Sequence, residues 1–436
     1  MGRRNFAAMS AAATNPYDAV MRSLRNGLGI ALAYSVVRFW VLGWAQSHFA
    51  PGRFSFHYYG LAWVPHPGLL GLQVLQAAQL MGALAMLYRP WARVGAGLFV
   101  FSFVWMQTLD ATWYLNHYYF VALMALGIAL VPGTAGRASR FTVAWFRLQT
   151  GILYTLAGLF KMQPAWLVDA MPLRIWMNAQ RNLPVLGPLL SWPPMAWIFS
   201  WGGMLYDTFI PLVLIQRRLW WLGYVAVIGF HVLVGLMFDI GVFPLVMILV
   251  APVFFPSQIH QRIWQLLDAR LPWLAPLQGE VPLPSQTVSR GWKWVFAGWF
   301  AFHILFPFRY LLYPGSLFWH EQGFRFSWRV MLMEKAGTAQ FYVLDRRNGR
   351  WGPINNAGYL TPEQEKMMST QPDFILQYAH YLAQRSRAKG LPSPAVRAEV
   401  YVTLNGRPSR LLVDPDIDLT KIQDGLRPYD WVTPSP

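Results

Sequence analysis

Long apolar runs separated by short polar connections fill the chain from residue 27 to residue 306. A helix needs about 20 mainly apolar residues to cross a bilayer, with some allowance for tilt and burial. Nine segments reach or approach this length, so the pattern predicts a polytopic α-helical membrane protein with about nine spans. The segments are residues 27–46, 69–88, 92–109, 118–132, 144–161, 196–215, 219–237, 241–255 and 292–306.

The distribution of Lys and Arg predicts the orientation of these spans, because cytoplasmic connections are enriched in both residues. The N-terminal tail and every second connection hold 15 basic residues, against four in the intervening connections. Nine spans then place the N-terminus in the cytoplasm and the C-terminus outside. Residues 1–26 lack the compact apolar stretch and cleavage site of a secretory signal, so we expect them to form a retained cytoplasmic tail.

The character of the chain changes after residue 306, where the long apolar runs end and charged residues become more frequent. We therefore expect a transmembrane helical domain at residues 27–306 and an extracytoplasmic domain at residues 307–436. This second domain is predicted to be mainly β with a helical insertion.

Local signals in the C-terminal domain support that prediction. Apolar and polar residues alternate from residue 324 to residue 328, as in a half-buried strand, and the pairs Asn348-Gly349 and Asn405-Gly406 favour type I′ hairpins. Residues 363–387 between the hairpins are rich in helix formers, and Pro372 is expected to break this helix.

Composition agrees with a membrane protein, since 55% of the residues are hydrophobic and only 13% are charged. The net charge of +17 would also suit a nucleic-acid-binding protein. However, the basic residues punctuate apolar segments and form no continuous patch, so we expect no nucleic-acid partner. The absence of cysteine excludes disulfides, thiolate catalysis and cysteine-ligated metals.

Lys161 is the most unusual residue of the apolar region, because it ends the run from residue 151 to residue 160. A lysine near membrane depth is costly and needs a compensating interaction or a function. It would either extend its ammonium group to the interface as an anchor, or lie buried as a neutral amine that accepts a proton from a weak acid. Composition alone leaves both interpretations open.

Other polar residues are predicted to lie at the same outer face as Lys161, which indicates a polar pocket that opens outward beneath the C-terminal domain. These residues are Asp110, Asn116, His117, His231 and Asp239. Two histidines without clustered carboxylates argue against zinc or di-iron, so no metal is expected. The many aromatic residues would suit lipid contact and packing, and also a flat ligand such as a quinone.

Arg38 lies inside the first predicted span and needs a partner there. Asp207 in the sixth span is the candidate, and a structural ion pair between them is the default interpretation. We also count Arg38 among the candidate cofactor-binding residues.

Several segments together resemble the vitamin K-dependent γ-glutamyl carboxylase family, within the wider group of horizontally transferred transmembrane-domain proteins. They are LDATWYLNHYY at residues 109–119, YTLAGLFKMQPAW at 154–166, FHVLVGLMFDIGVF at 230–243, YLLYPG at 310–315 and FSWRVMLMEK at 326–335. The resemblance runs from about residue 27 to residue 419 and rests on the order of these motifs. It indicates a shorter, bacterial-type homologue.

The resemblance implies a chemistry and a set of residue roles. In this family a lysine deprotonates vitamin K hydroquinone, oxygen adds, and the oxygenated species removes a γ-proton from a glutamate side chain. Carbon dioxide then captures the carbanion, and the quinone leaves as its epoxide. Lys161 matches the base, His117 with Asn116 matches the family's Asn-His pair near the reacting ring, and His231 matches a second pocket histidine. Trp328 and Arg329 would help the C-terminal domain to present the glutamyl substrate.

The sequence also departs from the animal members of the family. Met-Gln-Pro follows Lys161 where they have an acidic residue, so the lysine is expected to lack that electrostatic partner. Their cysteines are absent, and the chain ends soon after the β-rich domain, so recognition of a propeptide is not expected.

Three functions follow from the sequence. The leading one is a membrane-embedded, vitamin K hydroquinone-dependent carboxylase that uses O2 and CO2 and converts protein glutamate to γ-carboxyglutamate; a related naphthoquinol would serve equally as the cofactor. The second is a quinol-dependent oxygenase or epoxidase that carboxylates no glutamate. The third is a non-enzymatic membrane protein that binds a lipid or quinone. The expected partners are a glutamyl peptide or protein and the lipid bilayer.

Overall fold

The structure is a computed structural model that describes residues 15–278 and 287–435. Residues 1–14 of the predicted tail lie outside the described residues, and residues 16–26 already belong to the first helix. The longer helices of the N-terminal part are α1 (Pro16–Val41), α2 (Gly68–Ala85), α3 (Ala92–Thr108), α4 (Asn116–Leu130), α5 (Arg140–Leu159), α6 (Met195–Ile215), α7 (Trp220–Met237), α8 (Phe243–Val250), α9 (Ser257–Arg270) and α10 (Arg290–Leu305). Short helices occupy Trp44–His48, Pro164–Leu167, Leu173–Ala179, Leu186–Leu190 and Leu317–His320.

The number of helices that could cross a membrane is smaller than predicted. Within the described ranges, α2, α6, α7 and the helical segment Arg290–Leu312 are long and apolar enough. The pair Phe243–Phe254 and Ser257–Arg270, bent by 114°, would form a fifth span. Nine spans are therefore not confirmed. The remaining predicted segments form helices that are short, as in α4, or that carry arginines, as in α1 and α5.

Arginine side chains gather at one end of the helical bundle and bind the carbonyl ends of helices. Arg93 donates to the carbonyl oxygens of Ala129 and Leu130 at the end of α4, at 2.9 and 3.1 Å. Arg147 donates in the same way to Val253 at 2.8 Å. Cations are favourable there because the last carbonyl groups of a helix lack backbone donors. These residues belong to the connections predicted to be cytoplasmic.

The core of the bundle is a cluster of buried side chains from α1, α4, α5 and α8. Side chains from all four helices are buried together there, among them Leu28, Leu32, Met124, Phe146 and Val250. This packing fixes the end of α5, from which the candidate site is built.

The C-terminal part contains an antiparallel sheet of four strands in the order β2-β1-β3-β4. The strands are β1 (Lys335–Asp345), β2 (Arg350–Pro353), β3 (Ala395–Leu404) and β4 (Arg410–Leu411). The central pair runs from Lys335 opposite Leu404 to Leu344 opposite Ala395. The predicted helical insertion is present as α11 (Pro362–Met368) and α12 (Pro372–Ala388), and Pro372 begins the second helix as expected.

The predicted turns of this domain were right in position and only partly right in type. Asn405 and Gly406 have positive φ values of 51° and 73°, and the Arg407 amide donates to the Leu404 carbonyl across them, as in a type I′ turn. Between β1 and β2 the hairpin loop spans residues 346–349, and Gly349 has a positive φ whereas Asn348 does not. The type I′ prediction for Asn348-Gly349 was therefore wrong.

The predicted strand at residues 324–328 was also wrong. Phe326 and Trp328 have φ values of 59° and 61°, in the left-handed region that a strand cannot use. Their alternation with polar residues reflects a tightly turned segment that packs against the bundle.

A loop of the N-terminal part joins the core of the C-terminal domain. Phe56 is fully buried and packs against Phe374 of α12, with ring centroids 4.7 Å apart. The side chain of Gln377 accepts from the His57 amide at 2.9 Å and donates to the His57 carbonyl at 3.0 Å. This contact holds the C-terminal domain against the helical bundle.

Asp110 reinforces the same junction. Its carboxylate accepts hydrogen bonds from the Thr112 amide at 2.9 Å and from the Gln364 side chain at 2.6 Å. Burial raises the pKa of Asp110 to about 6, against the opposing effect of these hydrogen bonds.

Candidate functional site

A cavity of about 420 Å³ lies between α4, α5, α6 and α7, on the side of the bundle that faces the C-terminal domain. Its wall is mostly apolar and aromatic. The polar side chains in it are Asn116, His117, Tyr154, Lys161, Asp207 and His231. An apolar pocket of this size with a few convergent polar groups is typical of a small-molecule site.

Lys161 lies just beyond the end of α5, where its amide donates to the Gly158 carbonyl at 3.0 Å. Its Nζ atom is 2.6 Å from Oδ2 of Asp207 on α6 and donates to the Ala157 carbonyl at 3.3 Å. The two side chains are only 7% and 8% exposed. Lys161 is therefore a buried member of an ion pair and not an interfacial anchor.

This ion pair corrects two expectations from the sequence. Asp207 pairs with Lys161 and not with Arg38, whose guanidinium lies 4.6 Å from the ring of Trp44. The acidic partner expected to be missing beside Lys161 is supplied by another helix, 46 residues further along the chain.

The close crossing of α5 and α6 brings the pair together. A Cβ atom at Gly158 would overlap the hydroxyl and backbone nitrogen of Thr208. Glycine at this position lets the two helix backbones touch, since any other residue would force them apart. Lys161 follows Gly158 by three residues and Asp207 precedes Thr208, so the contact sets the distance between the charged groups.

Trp166 forms a wall of the cavity beside the lysine. Its indole nitrogen donates to the Ser200 carbonyl of α6 at 2.9 Å, which fixes the short helix Pro164–Leu167 against that helix. Nζ of Lys161 lies 5.5 Å from the centre of the indole ring. A cation–π contact thus adds to the interaction with Asp207.

His231 lies on α7 and is 2% exposed. Its Nε2 atom shares a hydrogen bond of 2.8 Å with the Tyr154 hydroxyl on α5. Its Nδ1 atom is buried and has no hydrogen-bond partner among the described residues. A buried ring nitrogen without a partner in the wall of a cavity indicates that a polar ligand group completes the site.

His117 and Asn116 begin α4 at the opposite wall. The His117 ring stacks on Phe243, with centroids 5.1 Å apart. The Asn116 side chain accepts from the Tyr114 hydroxyl at 2.9 Å and donates to the Arg329 carbonyl at 2.9 Å. Asn116 therefore positions the backbone of the segment that covers the cavity.

That covering segment includes Val330 and Met331, which line the cavity. The neighbouring Trp328 is fully buried and stacks on Tyr119, with centroids 5.0 Å apart. The guanidinium of Arg329 lies 3.7 Å from the ring of Phe160 and donates to the Pro307 carbonyl. The cavity wall thus contains neither Trp328 nor Arg329, the two predicted substrate-binding residues.

Three other residues from the sequence analysis also lie elsewhere. Arg38 contacts Trp44, Asp110 binds the C-terminal domain, and Asp239 is exposed beyond the end of α7. The structure therefore brings together Asn116, His117, Lys161 and His231, and it adds Asp207, Tyr154, Trp166 and Trp176. Tyr154 precedes Lys161 by seven residues, or about two helical turns, and this spacing could have identified it.

Comparison with known families agrees with the division into a helical part and a C-terminal part. The HTTM domain matches residues 15–258, which is more than half of the chain. The model described as vitamin K-dependent gamma-carboxylase, lumenal domain, matches residues 289–436. The chain therefore belongs to the vitamin K-dependent gamma-carboxylase family. No solved structure matches the chain.

Proposed function

We propose that this protein is a membrane-embedded carboxylase that uses a vitamin K hydroquinone or a related naphthoquinol, O2 and CO2 to convert glutamate in a protein to γ-carboxyglutamate. The coupled product is the quinone epoxide. The observation that carries the proposal is the Lys161–Asp207 pair, which faces His117 and His231 inside a mostly apolar cavity. The two family matches support a carboxylase of this kind.

The cavity suits a naphthoquinol. Its volume of about 420 Å³ lies within the range of pockets that bury small organic ligands. Aromatic side chains such as Trp166, Trp176 and Phe199 offer flat surfaces for a fused ring, and the unpaired Nδ1 of His231 offers a group for a ring oxygen. The bound hydroquinone would supply the reducing power that activates oxygen.

The task of Lys161 and Asp207 is to accept the proton of a quinol hydroxyl. With Lys161 as the ammonium and Asp207 as the carboxylate, the pair carries no net charge before the proton arrives. In the new protonation state the ammonium and the carboxyl group remain hydrogen-bonded to each other. The pair then carries one positive charge, and the quinolate that the same transfer would leave balances it, so no uncompensated charge is created in the apolar site.

The histidines would orient the ring. The hydrogen bond from Tyr154 fixes one nitrogen of His231 and leaves the other available to the ligand. His117 would contact the ring from the opposite wall, where stacking on Phe243 holds its plane. These two contacts would place a quinol hydroxyl beside Lys161.

For topology, we propose that the N-terminus is cytoplasmic and that the C-terminal domain lies on the outer side of the membrane. The arginines that bind helix carbonyls then face the cytoplasm, and the cavity opens beneath the C-terminal domain. A glutamyl side chain of a protein substrate would approach from that domain.

A quinol oxygenase or epoxidase without carboxylation is the second candidate. One observation favours it, because Trp328 and Arg329 are absent from the cavity wall, and among the described residues of the C-terminal domain no Lys or Arg lines it. In that case Lys161 and Asp207 would still accept the proton of the quinol hydroxyl.

One assay separates these functions. Purified protein and its Lys161→Ala variant receive reduced vitamin K, oxygen, a glutamate peptide and labelled bicarbonate, and epoxide and peptide-bound label are measured separately. We expect both products from the parent protein and neither from the variant. Epoxide without label across several peptides would favour the oxygenase, and bound quinone without either product would favour a binding protein.

A further inference from the structure

The helix α9 leaves the bundle at a sharp bend. It follows the helical segment Phe243–Phe254 at a bend of 114°. The bend lies at the end of the bundle that carries the arginines, because Phe255 packs against Trp220 at the start of α7, with ring centroids 4.6 Å apart. Arg147 also donates to the Phe255 carbonyl at 3.1 Å. The helix α9 therefore runs across this end of the bundle and not along it.

One face of α9 is fixed to α1. His260 shares a hydrogen bond of 2.7 Å with the Ser23 hydroxyl, which also accepts from the Trp264 indole nitrogen at 2.9 Å. Asp268 pairs with Arg22 at 2.6 Å. His260, Trp264 and Asp268 follow one another at intervals of four residues, so they lie on a single helix face. This face binds α1 and leaves the two flanks of α9 uncovered.

The two flanks of α9 differ in polarity. Ile263 and Leu266 are 44% and 62% exposed. Gln258 and Gln265, which are also exposed, lie on the other flank. With 3.6 residues per turn, the side chains of Ile263 and Gln265 point roughly 160° apart. A helix with one apolar flank and one polar flank is suited to the boundary between hydrocarbon and water.

The position of α9 along α1 matches such a boundary. Ile30 and Val37 of α1 are large, apolar and exposed, and they follow Ser23 by seven and fourteen residues. This spacing places them on the same face of α1 as Ser23. Ile30 lies about 10 Å beyond Ser23 along the helix axis. Since α9 is bound at Ser23, it lies just outside the apolar surface that α1 exposes.

The contacts with α1 also fix the direction of α9. The helix passes from the Ser23 side of α1 to the Arg22 side along its length. A right-handed helix that runs in this direction turns Ile263 toward Ile30 and turns Gln265 away from it. The apolar flank therefore faces the hydrocarbon-facing part of the bundle, and the polar flank faces water.

Exposed arginines gather around α9. Two belong to α9, and two lie in the turn before α7, which the contact between Phe255 and Trp220 places beside the start of α9. They are Arg217, Arg218, Arg262 and Arg270. In the part of the chain that the structure describes, no ion pair involves any of the four. Trp273, just after α9, is 65% exposed, as is common for tryptophan at a membrane interface.

We propose that α9 lies in the plane of the membrane surface, with Ile263 and Leu266 at the acyl boundary and with the four arginines bound to the headgroups of anionic phospholipids. Hydrocarbon then covers the apolar flank, and negative headgroups balance the arginines. This placement is independent of the quinol chemistry. It differs from a fifth span, in which α9 would continue into the bilayer.

The depth of α9 can be measured with single cysteines, because the chain contains none of its own. Full-length Ile263→Cys and Gln265→Cys are labelled with an environment-sensitive fluorophore in nanodiscs of phosphatidylcholine and phosphatidylglycerol. Quenching is measured with lipids that carry a nitroxide near the headgroup or deep in the acyl chain, and with iodide in the water.

We expect the shallow nitroxide to quench the label at residue 263 more strongly than the deep nitroxide does. Iodide should quench the label at residue 265 about threefold more strongly than the label at residue 263, since an interfacial helix has one wet flank. Strong quenching of both labels by the deep nitroxide would show that α9 spans the bilayer. Equal quenching of both labels by iodide would show that α9 lies in water. Either result would overturn the proposal.

The role of charge is tested by Arg262→Gln/Arg270→Gln in the Ile263→Cys background. The control is Arg385→Gln/Arg387→Gln, which removes the same charge from two exposed residues of α12. Each labelled protein in neutral detergent is titrated with phosphatidylglycerol or with phosphatidylcholine, and the fluorescence of the label reports binding.

We expect the α9 double variant to bind phosphatidylglycerol about tenfold more weakly, because each arginine near an anionic surface adds several-fold to the affinity. The control should stay within about twofold of the parent, and binding of phosphatidylcholine should not change in either variant. Equal affinity of the parent for the two lipids, or equal losses in the two double variants, would overturn the anionic-lipid site.

Discussion

Nζ of Lys161 and Oδ2 of Asp207 lie 2.6 Å apart inside the cavity, and they come from helices that touch at Gly158. Removing one member of a buried ion pair leaves the other charge without compensation. Any variant at this pair therefore combines an effect on stability with an effect on chemistry, and the two effects have to be separated.

A double substitution provides that separation. We expect Lys161→Ala or Asp207→Ala alone to abolish quinol turnover and to destabilise the protein by about 3–5 kcal/mol, as is usual for a broken buried pair. The double variant Lys161→Met/Asp207→Leu should recover most of the stability, because it leaves no buried charge, but it should remain inactive. Thermal unfolding followed by tryptophan fluorescence and epoxide formation give the two measurements.

Two results would contradict this account of the pair. Turnover in the stable double variant would show that neither group accepts the proton. Full activity of Asp207→Asn would show that neither the charge nor the basicity of Asp207 is needed and that Lys161 acts alone.

His117 and His303 offer a comparison between two histidines of the bundle. His117 lines the cavity, whereas His303 on α10 contacts the Tyr119 hydroxyl and the Trp299 carbonyl outside it. We expect His117→Ala to lower kcat/KM for the quinol about 100-fold, as is usual when a group that positions the reacting molecule is lost. His303→Ala should lower it much less once the folded fraction is matched by unfolding curves. Equal losses of kcat/KM in the two variants would show that His117 has no specific role in the site.

The sequence was sufficient to predict the class of fold and much of the cavity. Lys161 ends an apolar run and His231 lies inside one, and such polar groups are costly in a membrane segment unless they have a partner or a function. Both residues line the cavity. The helix formers at residues 363–387 predicted the helical insertion, and Pro372 divides it, because a proline can begin a helix but not continue one.

The features that the sequence did not predict depend on contacts between segments that are distant in the chain. Arg38 was the predicted partner of Asp207, whereas Asp207 pairs with Lys161, and this pairing depends on the crossing at Gly158, which local patterns do not encode. Trp328 and Arg329 lie on a segment with left-handed backbone at Phe326 and Trp328, so alternation did not predict where they point. Hydropathy predicted nine spans, whereas four or five helices within the described residues are long and apolar enough to cross a membrane, since helices buried in protein can be as apolar as helices in lipid.

The crossing itself can be tested with two glycines of α5. A Cβ atom at Gly158 would overlap Thr208, whereas one at Gly151 would lie 3.8 Å from Pro211, an ordinary contact. We expect Gly158→Ala to cost about 1–3 kcal/mol, as for other overpacked sites, and to lower turnover by displacing Lys161 from Asp207. Gly151→Ala should be neutral in both unfolding and activity. Unchanged stability and turnover in Gly158→Ala would mean that α5 and α6 can accommodate a Cβ atom where they cross.

Asp110 gives the junction between the helical bundle and the C-terminal domain a dependence on pH. Because burial raises the pKa of Asp110 to about 6, the folded protein binds a proton there more tightly than the unfolded chain. Its contribution to stability is therefore complete below about pH 4 and is lost as the pH rises through 6. The shift corresponds to roughly 3 kcal/mol.

The variant Asp110→Asn removes this titration. We expect the apparent Tm of the parent protein to fall relative to that of Asp110→Asn as the pH increases from 4 to 7. Asp345 provides the control, since hydrogen bonds from Arg347 lower the pKa of this carboxyl below its usual value, so Asp345 is ionised over most of this range and the difference between the parent and Asp345→Asn should stay nearly constant. A constant difference between the parent and Asp110→Asn across this range would mean that Asp110 remains ionised when folded. The hydrogen bonds from Thr112 and Gln364 would then outweigh burial, and Asp110 would join the two domains as a carboxylate at every physiological pH.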